Sequence, residues 1–572
     1  MKKIFRNNHF VLSSLLLLCV TFSFGQNLDQ IGKKGGIKVS GGLGVNQSLY
    51  FSDGIDERYN PYVYMINGNV NFDLYGFSVP LSFRYSNQKL TYGQPFNIVG
   101  LSPKYKNLTL HAGHRSMSFS SYTLAGHQFF GGGAEYSYKN FKIAAMGGRL
   151  LDPVEYVDSL NNKPVYSRLG SGVKMTYSKG GDEISIITFY GKDDENSIAA
   201  LPDDVFIYPE ENQVYSLSFK KKLADHVTFS FEGARSAWTK DQNSLNISEK
   251  AGLDNSIYAL RVTQSTVFYN AFKSSLNFTL AKATLGLNIE RVDPEYRTLG
   301  AYYFNSDFQN VTGSLSRDFF KKKMKVNANI GVQRDDLRND KMSKMKRVVA
   351  SVNSSITFSK KLSTTFGYSN FNSFVNVKPI DEAFVQNSIY ERVDTMNFVQ
   401  VNQTLMAGVN YKPLESSNVL HTLTLNGNYN TSSNENGGVQ TATSMAGSNL
   451  AYHLNFKKTG VNLGFSGNAN GNYYEEGTSS YFGAGLNASM KMLNKKVRAS
   501  LNIRYSKNYE EGDLKANLYS ISNSYSLNIK KKHSLNLNIR YSGREAITVS
   551  QFATYSSTFN ELFITLGYNF RF

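Results

Sequence analysis

Apolar and polar residues alternate with a period of two along almost the whole chain. In 497–506, Val497, Ala499, Leu501, Ile503 and Tyr505 take one face, and Arg498, Ser500, Asn502, Arg504 and Ser506 take the other. In 482–492, Phe482, Ala484, Leu486, Ala488, Met490 and Met492 oppose Gly483, Gly485, Asn487, Ser489 and Lys491. The stretch 324–333 sets Met324, Val326, Ala328, Ile330 and Val332 against Lys325, Asn327, Asn329, Gly331 and Gln333. Leu535, Leu537, Ile539 and Tyr541 likewise oppose Asn536, Asn538, Arg540 and Ser542. Successive side chains of a strand point to opposite faces, so each segment is a strand with one apolar and one polar face. A soluble sandwich alternates too, but two features argue against it. The runs reach about 10 residues, which a tilted strand needs to cross a bilayer, against roughly 5–6 in globular sheets. The polar face is mostly Ser, Asn, Thr and Gly, which suits a watery lumen better than a Lys/Glu-rich solvated surface. The pattern predicts an all-β fold: a single transmembrane antiparallel β-barrel.

The connections alternate in kind. One kind is short and basic, as at Lys139-Asn140, Lys220-Lys221-Lys222, Lys321-Lys322-Lys323, Lys360-Lys361, Lys457-Lys458, Lys495-Lys496 and Lys530-Lys531-Lys532. The other is longer and acidic, as at Asp53 to Glu57, Asp152 to Asp158, Asp193 to Glu211, Asp335 to Asp340, Asp381 to Asp394, Glu475-Glu476 and Glu510 to Asp513. Outer-membrane barrels have short periplasmic turns and long extracellular loops, so the Lys turns are assigned inside and the acidic loops outside. Less basic turns fall near Tyr75-Gly76, Lys106-Asn107, Gly180-Gly181, Lys282 and Lys412-Pro413. The turns predict about 26 strands, within a range of 22–26, with both termini periplasmic.

The end of the chain carries the sharpest signal. Leu562, Ile564, Leu566, Tyr568, Phe570 and Phe572 point one way, and Phe563, Thr565, Gly567, Asn569 and Arg571 the other. A last strand ending in Tyr568, Phe570 and a C-terminal Phe572 resembles the assembly signal of outer-membrane barrels, which implies the barrel-assembly machinery as a partner. With Ser23-Phe24-Gly25-Gln26 and an Asn/Lys/Tyr-rich composition, the chain resembles a large porin-like barrel of the Bacteroidota; no functionally defined family matches its residues.

Residues 1–25 read as a signal peptide: Lys2, Lys3 and Arg6, an apolar run from Phe10 to Val20, then small residues at −3 and −1 of a cut before Gln26. The barrel is assigned to 26–572. Cys19, the only cysteine, lies in the apolar run, and Leu17-Leu18 before it disfavour a lipoprotein signal. Thiol chemistry and disulfides are thereby excluded from the expected mature chain. No apolar run of 18 follows the signal, so no membrane helix is expected. With 39 Phe and 37 Tyr, the chain can supply aromatic girdles at both membrane interfaces. Net charge is +18, dispersed rather than gathered on one helix or face, so no nucleic acid is expected.

Candidate chemistry is sparse. His111 and His114 lie three apart on one strand, hence on opposite faces, and with His127 they do not predict a metal site. Ser and Asp are so frequent that no nucleophile–base–orienter trio stands out, so no catalytic residue and no cofactor are predicted. Gly131-Gly132-Gly133 and Gly147-Gly148 lack the following helix of a phosphate loop and instead predict a bend, or room for something packed close to the wall. The alternation points Arg84, Lys325, Lys491, Arg498, Arg504, Arg540 and Arg571 into the lumen. There they either bias a pore toward anions or pair with loop carboxylates. The Lys turns suit anionic headgroups, and the acidic loops suit cations bridging lipopolysaccharide, so outer-membrane lipid and lipopolysaccharide are expected partners.

The expected function is a channel or transport barrel in the cell outer membrane. The alternative is a structural subunit of a multiprotein secretion or assembly machine. Strands begin near Ile37, which leaves no room for the plug of a TonB-dependent receptor. A lumen of about 26 strands is wide, so it is expected to be occupied, by loops at 190–213, 238–257 and 370–398 or by a protein partner.

Overall fold

The computed structural model describes residues 37–88, 95–158, 162–202, 205–247, 259–280, 282–303, 305–335, 337–338, 346–370, 399–436, 439–474, 477–530, 532–549 and 554–572. The signal segment with Cys19, most of the 370–398 loop, Glu475-Glu476 and Lys531 lie outside them.

Twenty-seven strand segments follow one another. They are β1 Lys38–Asp53, β2 Tyr62–Leu74, β3 Phe77–Ser86, β4 Ile98–Leu101, β5 Lys104–Tyr105, β6 Leu108–Ser118, β7 Ala125–Tyr138, β8 Phe141–Leu151 and β9 Ser167–Lys179. Next come β10 Asp182–Asp194, β11 Glu211–Ala224, β12 Val227–Thr239, β13 Thr266–Leu280, β14 Ala283–Val292, β15 Phe308–Phe319, β16 Met324–Arg334, β17 Lys346–Thr357 and β18 Leu362–Ser369. The last third comprises β19 Val399–Tyr411, β20 Val419–Asn436, β21 Val439–Phe456, β22 Val461–Tyr474, β23 Gly477–Met492, β24 Val497–Glu510, β25 Asp513–Ile529, β26 His533–Val549 and β27 Thr554–Arg571. Each pairs antiparallel with its neighbours; β4 and β5 share one place between β3 and β6, so the segments make 26 strands.

The sheet closes on itself. β27 pairs with β1 from Gly42↔Arg571 to Asp53↔Asn560, and Gly41 and Phe572 exchange two backbone hydrogen bonds of 3.1 Å at the seam. Closure removes the sheet edge that would otherwise leave unpaired backbone groups in lipid.

Short turns make the hairpins at one end. Tyr75-Gly76 and Gly180-Gly181 have positive φ at both central residues, as a two-residue turn matched to the strand twist requires. Two connections differ from the sequence reading. Glu510 to Asp513, expected as a longer acidic loop, is a two-residue turn with positive φ at Glu511 and Gly512, because β24 and β25 pair right up to Glu510↔Asp513. Lys220-Lys221-Lys222 is not a turn but the end of β11, which runs to Ala224 past a register shift, and the chain reverses at Asp225-His226. The pairing with β12 continues through the lysines, from Lys220↔Ser230 to Lys222↔Thr228, and a run of cations alone does not break a strand.

The outward face is the apolar one. Ile186 is 62% exposed while its neighbour Ile187 is 1% exposed, so one faces the surroundings and the other the interior. Strand length varies around the barrel: β18 has 8 residues, β14 has 10, and β20, β21 and β27 have 18. A bilayer needs about 9–11. With the turns tight at one end, the extra length of β20, β21 and β25–β27 makes the wall taller at the other.

Candidate functional site

The interior is identified by geometry. Residues 119–124, between β6 and β7, reach residues of β12, β13 and β14, and in a closed sheet a chain can make that link only through the inside. Tyr122 donates to Glu290 Oε1 at 2.7 Å, and Lys273 donates to Ser121 Oγ at 2.9 Å. Glu232, Lys273 and Glu290 stand directly across from one another on β12, β13 and β14, with Lys273 3.0 Å from Glu232. They form an acid–base–acid row on which the loop docks. Beneath it lies a cavity of about 400 Å³ whose lining includes Glu183, Lys220, Ser230, Ser275 and Asn288.

Residues 293–307, between β14 and β15, fold in beside 119–124. Tyr296 donates its hydroxyl to the Tyr122 carbonyl at 2.8 Å, Thr298 to the Thr123 carbonyl at 2.7 Å, and the Ala125 N–H bonds the Gly300 carbonyl at 2.9 Å. Phe119, Tyr122, Leu124, Tyr296 and Leu299 are buried against Ile187, Phe189, Val214 and Phe129 of the inner wall. Burying each such side chain contributes roughly 1.5–3 kcal/mol, against roughly 1–2 kcal/mol per residue to order the backbone. The wall makes room for them: a Cβ on Gly172 would lie 2.9 Å from the Phe119 ring.

A charged network ties the loop bases together at the end opposite the short turns. Arg168 holds Asp193 through two bonds of 2.6 and 2.9 Å and reaches Glu210 at 2.7 Å. Arg297 joins Glu210 at 3.0 Å and lies over the Trp238 ring, which Lys240 also covers. Gln242 donates to the carbonyls of Asp193 and Glu210 at 2.9 Å each. Lys240, Tyr269 and Arg338 converge on Glu295, and the Lys240 bond above all holds that carboxyl below its ordinary value. Burial pushes the Tyr303 phenol up to about 12.

Of the three stretches the sequence singles out, Asp193 and Glu210 of 190–213 and Trp238, Lys240 and Gln242 of 238–257 belong to this network, while 248–257 and 371–398 lie outside the described residues. The sequence reading does not anticipate the two segments packed against the wall, 119–124 and 293–307. A signal existed. At Ser185-Ile186-Ile187-Thr188-Phe189, β10 is apolar on both faces, which an open watery lumen does not call for. The glycine-rich strands were read as room for close packing. A Cβ on Gly133 would meet Met117 at 2.9 Å, and Gly131 and Gly148 bring two backbones together.

The histidines go to separate partners. His111 bonds Glu135 and Ser102 at 2.9 Å each, His114 lies against the Phe130 ring, and His127 stacks on Tyr302.

Of the basic residues, Lys491 and Arg498 stand directly opposite each other. Arg504 faces Gly485 and Ser520, and Arg540 faces Ser522 and Phe563. Arg571 faces Gly42, Lys325 faces Asp318, and Arg84 lies over the Phe96 ring. Among the described residues, none of Arg498, Arg504 and Arg540 has a carboxylate within ion-pair distance. Tyr568 bonds His533 at 2.7 Å, and Phe570 stacks between His533 and Phe572.

No family model and no curated protein matches the chain. Solved structures match the chain at low similarity. OccAB2 of Acinetobacter baumannii is 10% identical with a TM-score of 0.28, over 68% of this chain and 98% of that one. The anion-selective porin of Comamonas acidovorans is 12% identical with a TM-score of 0.26, over 63% and 100%. The E. coli P pilus tip assembly intermediate PapC-PapD-PapK-PapG is 11% identical with a TM-score of 0.30, over 93% and 61%.

Proposed function

We propose that this chain is a non-enzymatic outer-membrane channel for small polar solutes, biased toward anions and narrowed on one side by its own loops. The observation that carries the reading is how the charges divide around the wall. On β9–β14 the charged side chains Arg168, Asp193, Glu232 and Lys273 are paired with one another or with loop residues. On β24 and β26, Arg498, Arg504 and Arg540 carry no such partner among the described residues. Unpaired cations on a lumen wall favour anions at the constriction. The outward apolar face supports an outer-membrane location, and the alternation of short turns with longer connections along β1–β19 supports short turns in the periplasm.

The test is a planar-bilayer recording of the purified barrel in a KCl gradient. The parent should show a reversal potential of anionic sign. Arg498→Gln, Arg504→Gln and Arg540→Gln combined should move it toward zero with little change in conductance; a cation-selective or unselective parent refutes the reading. One observation favours a second reading, a subunit of a larger envelope machine: β20, β21 and β25–β27, at 17 or 18 residues each, form a wall taller than a bilayer crossing of about 9–11 residues needs. Under that reading a stoichiometric partner co-purifies from native membrane and fills or caps the lumen.

A further inference from the structure

The inner faces of β20–β27 and β1 carry a repeated arrangement that a merely wet wall does not need. Glycine and asparagine alternate there, and the register places each glycine between polar side chains of the two flanking strands. Gly447 stands between Asn428 and Asn470, and a Cβ on it would lie 2.6 and 2.7 Å from their carboxamide oxygens. Gly44 stands in the same way between Asn569 and Asn67, at 2.7 and 2.8 Å. Across Gly483 lies the Asn468 carboxamide at 2.7 Å, and across Gly567 the Asn46 carboxamide at 2.7 Å. The side chains therefore lie down over the glycines, along the wall rather than out into the lumen. The result is a flat surface of uncharged amides.

The unpaired cations belong to this same surface. Arg504 lies beside Gly485, with its Cγ 3.6 Å from where a Cβ would be. Asn487, Asn502, Ser522 and Arg540 follow one another across four adjacent strands in a single row. Neighbouring strands are about 4.8 Å apart, so these groups repeat at that spacing around the wall.

Each group has a defined complement. A carboxamide offers two N–H donors and an accepting oxygen, so it satisfies a hydroxyl in either sense. Being neutral, it does so without the large desolvation penalty of a charged partner. A guanidinium presents a planar fork that matches a carboxylate or sulfate. Many hydroxyls with interspersed acidic groups on an extended solute would engage both. We infer that this wall is a sliding surface for acidic oligosaccharides, whose hydroxyls meet the asparagines and whose carboxylates meet Arg504 and Arg540. The inference rests on the channel reading above and names the solute class that channel takes. An acidic peptide shares the charge but not the dense hydroxyls, so the amide wall favours the sugar.

The test uses the full mature chain in planar bilayers, with transient block of the chloride current as the readout. Trigalacturonate should block in a concentration-dependent way, at roughly tenfold lower concentration than maltotriose or triglutamate. Arg504→Gln with Arg540→Gln should weaken trigalacturonate block by about tenfold and leave maltotriose block unchanged. Asn468→Ala with Asn487→Ala should weaken block by both sugars several-fold, with the chloride reversal potential and the heat-modifiable gel mobility of the folded barrel unchanged. Equal block by triglutamate and trigalacturonate, or unaltered block in the asparagine variant, overturns the inference. An anion-selective channel that no sugar blocks overturns it while the channel reading stands; absence of anion selectivity removes the channel reading itself.

Discussion

Arg168→Met is the substitution that most directly tests whether the inward loops are fixed to the wall. Arg168 is held by Asp193 through two bonds and by Glu210 through a third, with side-chain exposures of 13%, 3% and 15%. Removing the guanidinium leaves Asp193 buried without its cation, and breaking a buried pair in this way costs roughly 3–5 kcal/mol. Glu210 keeps Arg297 at 3.0 Å, which places the loss toward the lower end. Arg168 and Asp193 are cross-strand partners on β9 and β10, so the cost of stranding Asp193 falls on the wall. The loop itself loses the Arg168–Glu210 bond, roughly 1.5–3 kcal/mol for a hydrogen bond between charged groups. At about 1.4 kcal/mol per factor of ten, that loss shifts the balance between attached and released loop by about one to two powers of ten. Glu210 also connects through Arg297 to the 293–307 segment, so release spreads to both inward loops. Single-channel recording should show larger conductance and added open-channel noise in Arg168→Met. Arg168→Met combined with Asp193→Leu removes the stranded charge and should recover much of the quiet behaviour. If Arg168→Met conducts like the parent, with the same noise and the same unfolding temperature, the network does not hold the loops.

Gly172→Val places side-chain atoms against the Phe119 ring and should destabilise the docked 119–124 segment by roughly 1–3 kcal/mol, read as increased current noise in an otherwise folded barrel. Glu295 has a depressed folded value, so its contribution to the loop contacts is present above the ordinary carboxylate range and is lost as pH falls through that lower value. Noise should therefore rise below about pH 4.5, and Glu295→Gln should abolish this acid-dependent rise. Phe572→Ala, or loss of Phe570 to Phe572, removes the aromatic contacts at the closing seam and should lower the folded, heat-modifiable barrel in the membrane; normal levels would refute the terminal-signal assignment. An epitope inserted at Gly512 should be accessible on intact cells and one at Lys495 only after permeabilisation, and the reverse result would invert the topology.

The sequence by itself determined the barrel, because a strand that separates lipid from water must alternate, and 2-residue periodicity is visible without knowing any partner. It also bounded the strand number to 22–26, since each hairpin end carries its own turn chemistry, and the pairing of β27 with β1 follows once an even set of strands must close. What β10 packs against was not legible. Ile187 and Phe189 announce a covered inner face but do not say that Tyr122 and Tyr296, from loops 65 or more residues away on either side in the chain, are what covers it. Likewise Arg168, Asp193, Glu210 and Arg297 are four ordinary charges in the sequence. The β9–β10–β11 register sets Arg168 opposite Asp193 and beside Glu210, but only the folding of the 293–307 segment over the rim adds Arg297 to them. The Asn and Gly alternation was legible strand by strand, but that each carboxamide lies across a glycine of the next strand depends on register, and register is a property of the paired sheet, not of any one segment.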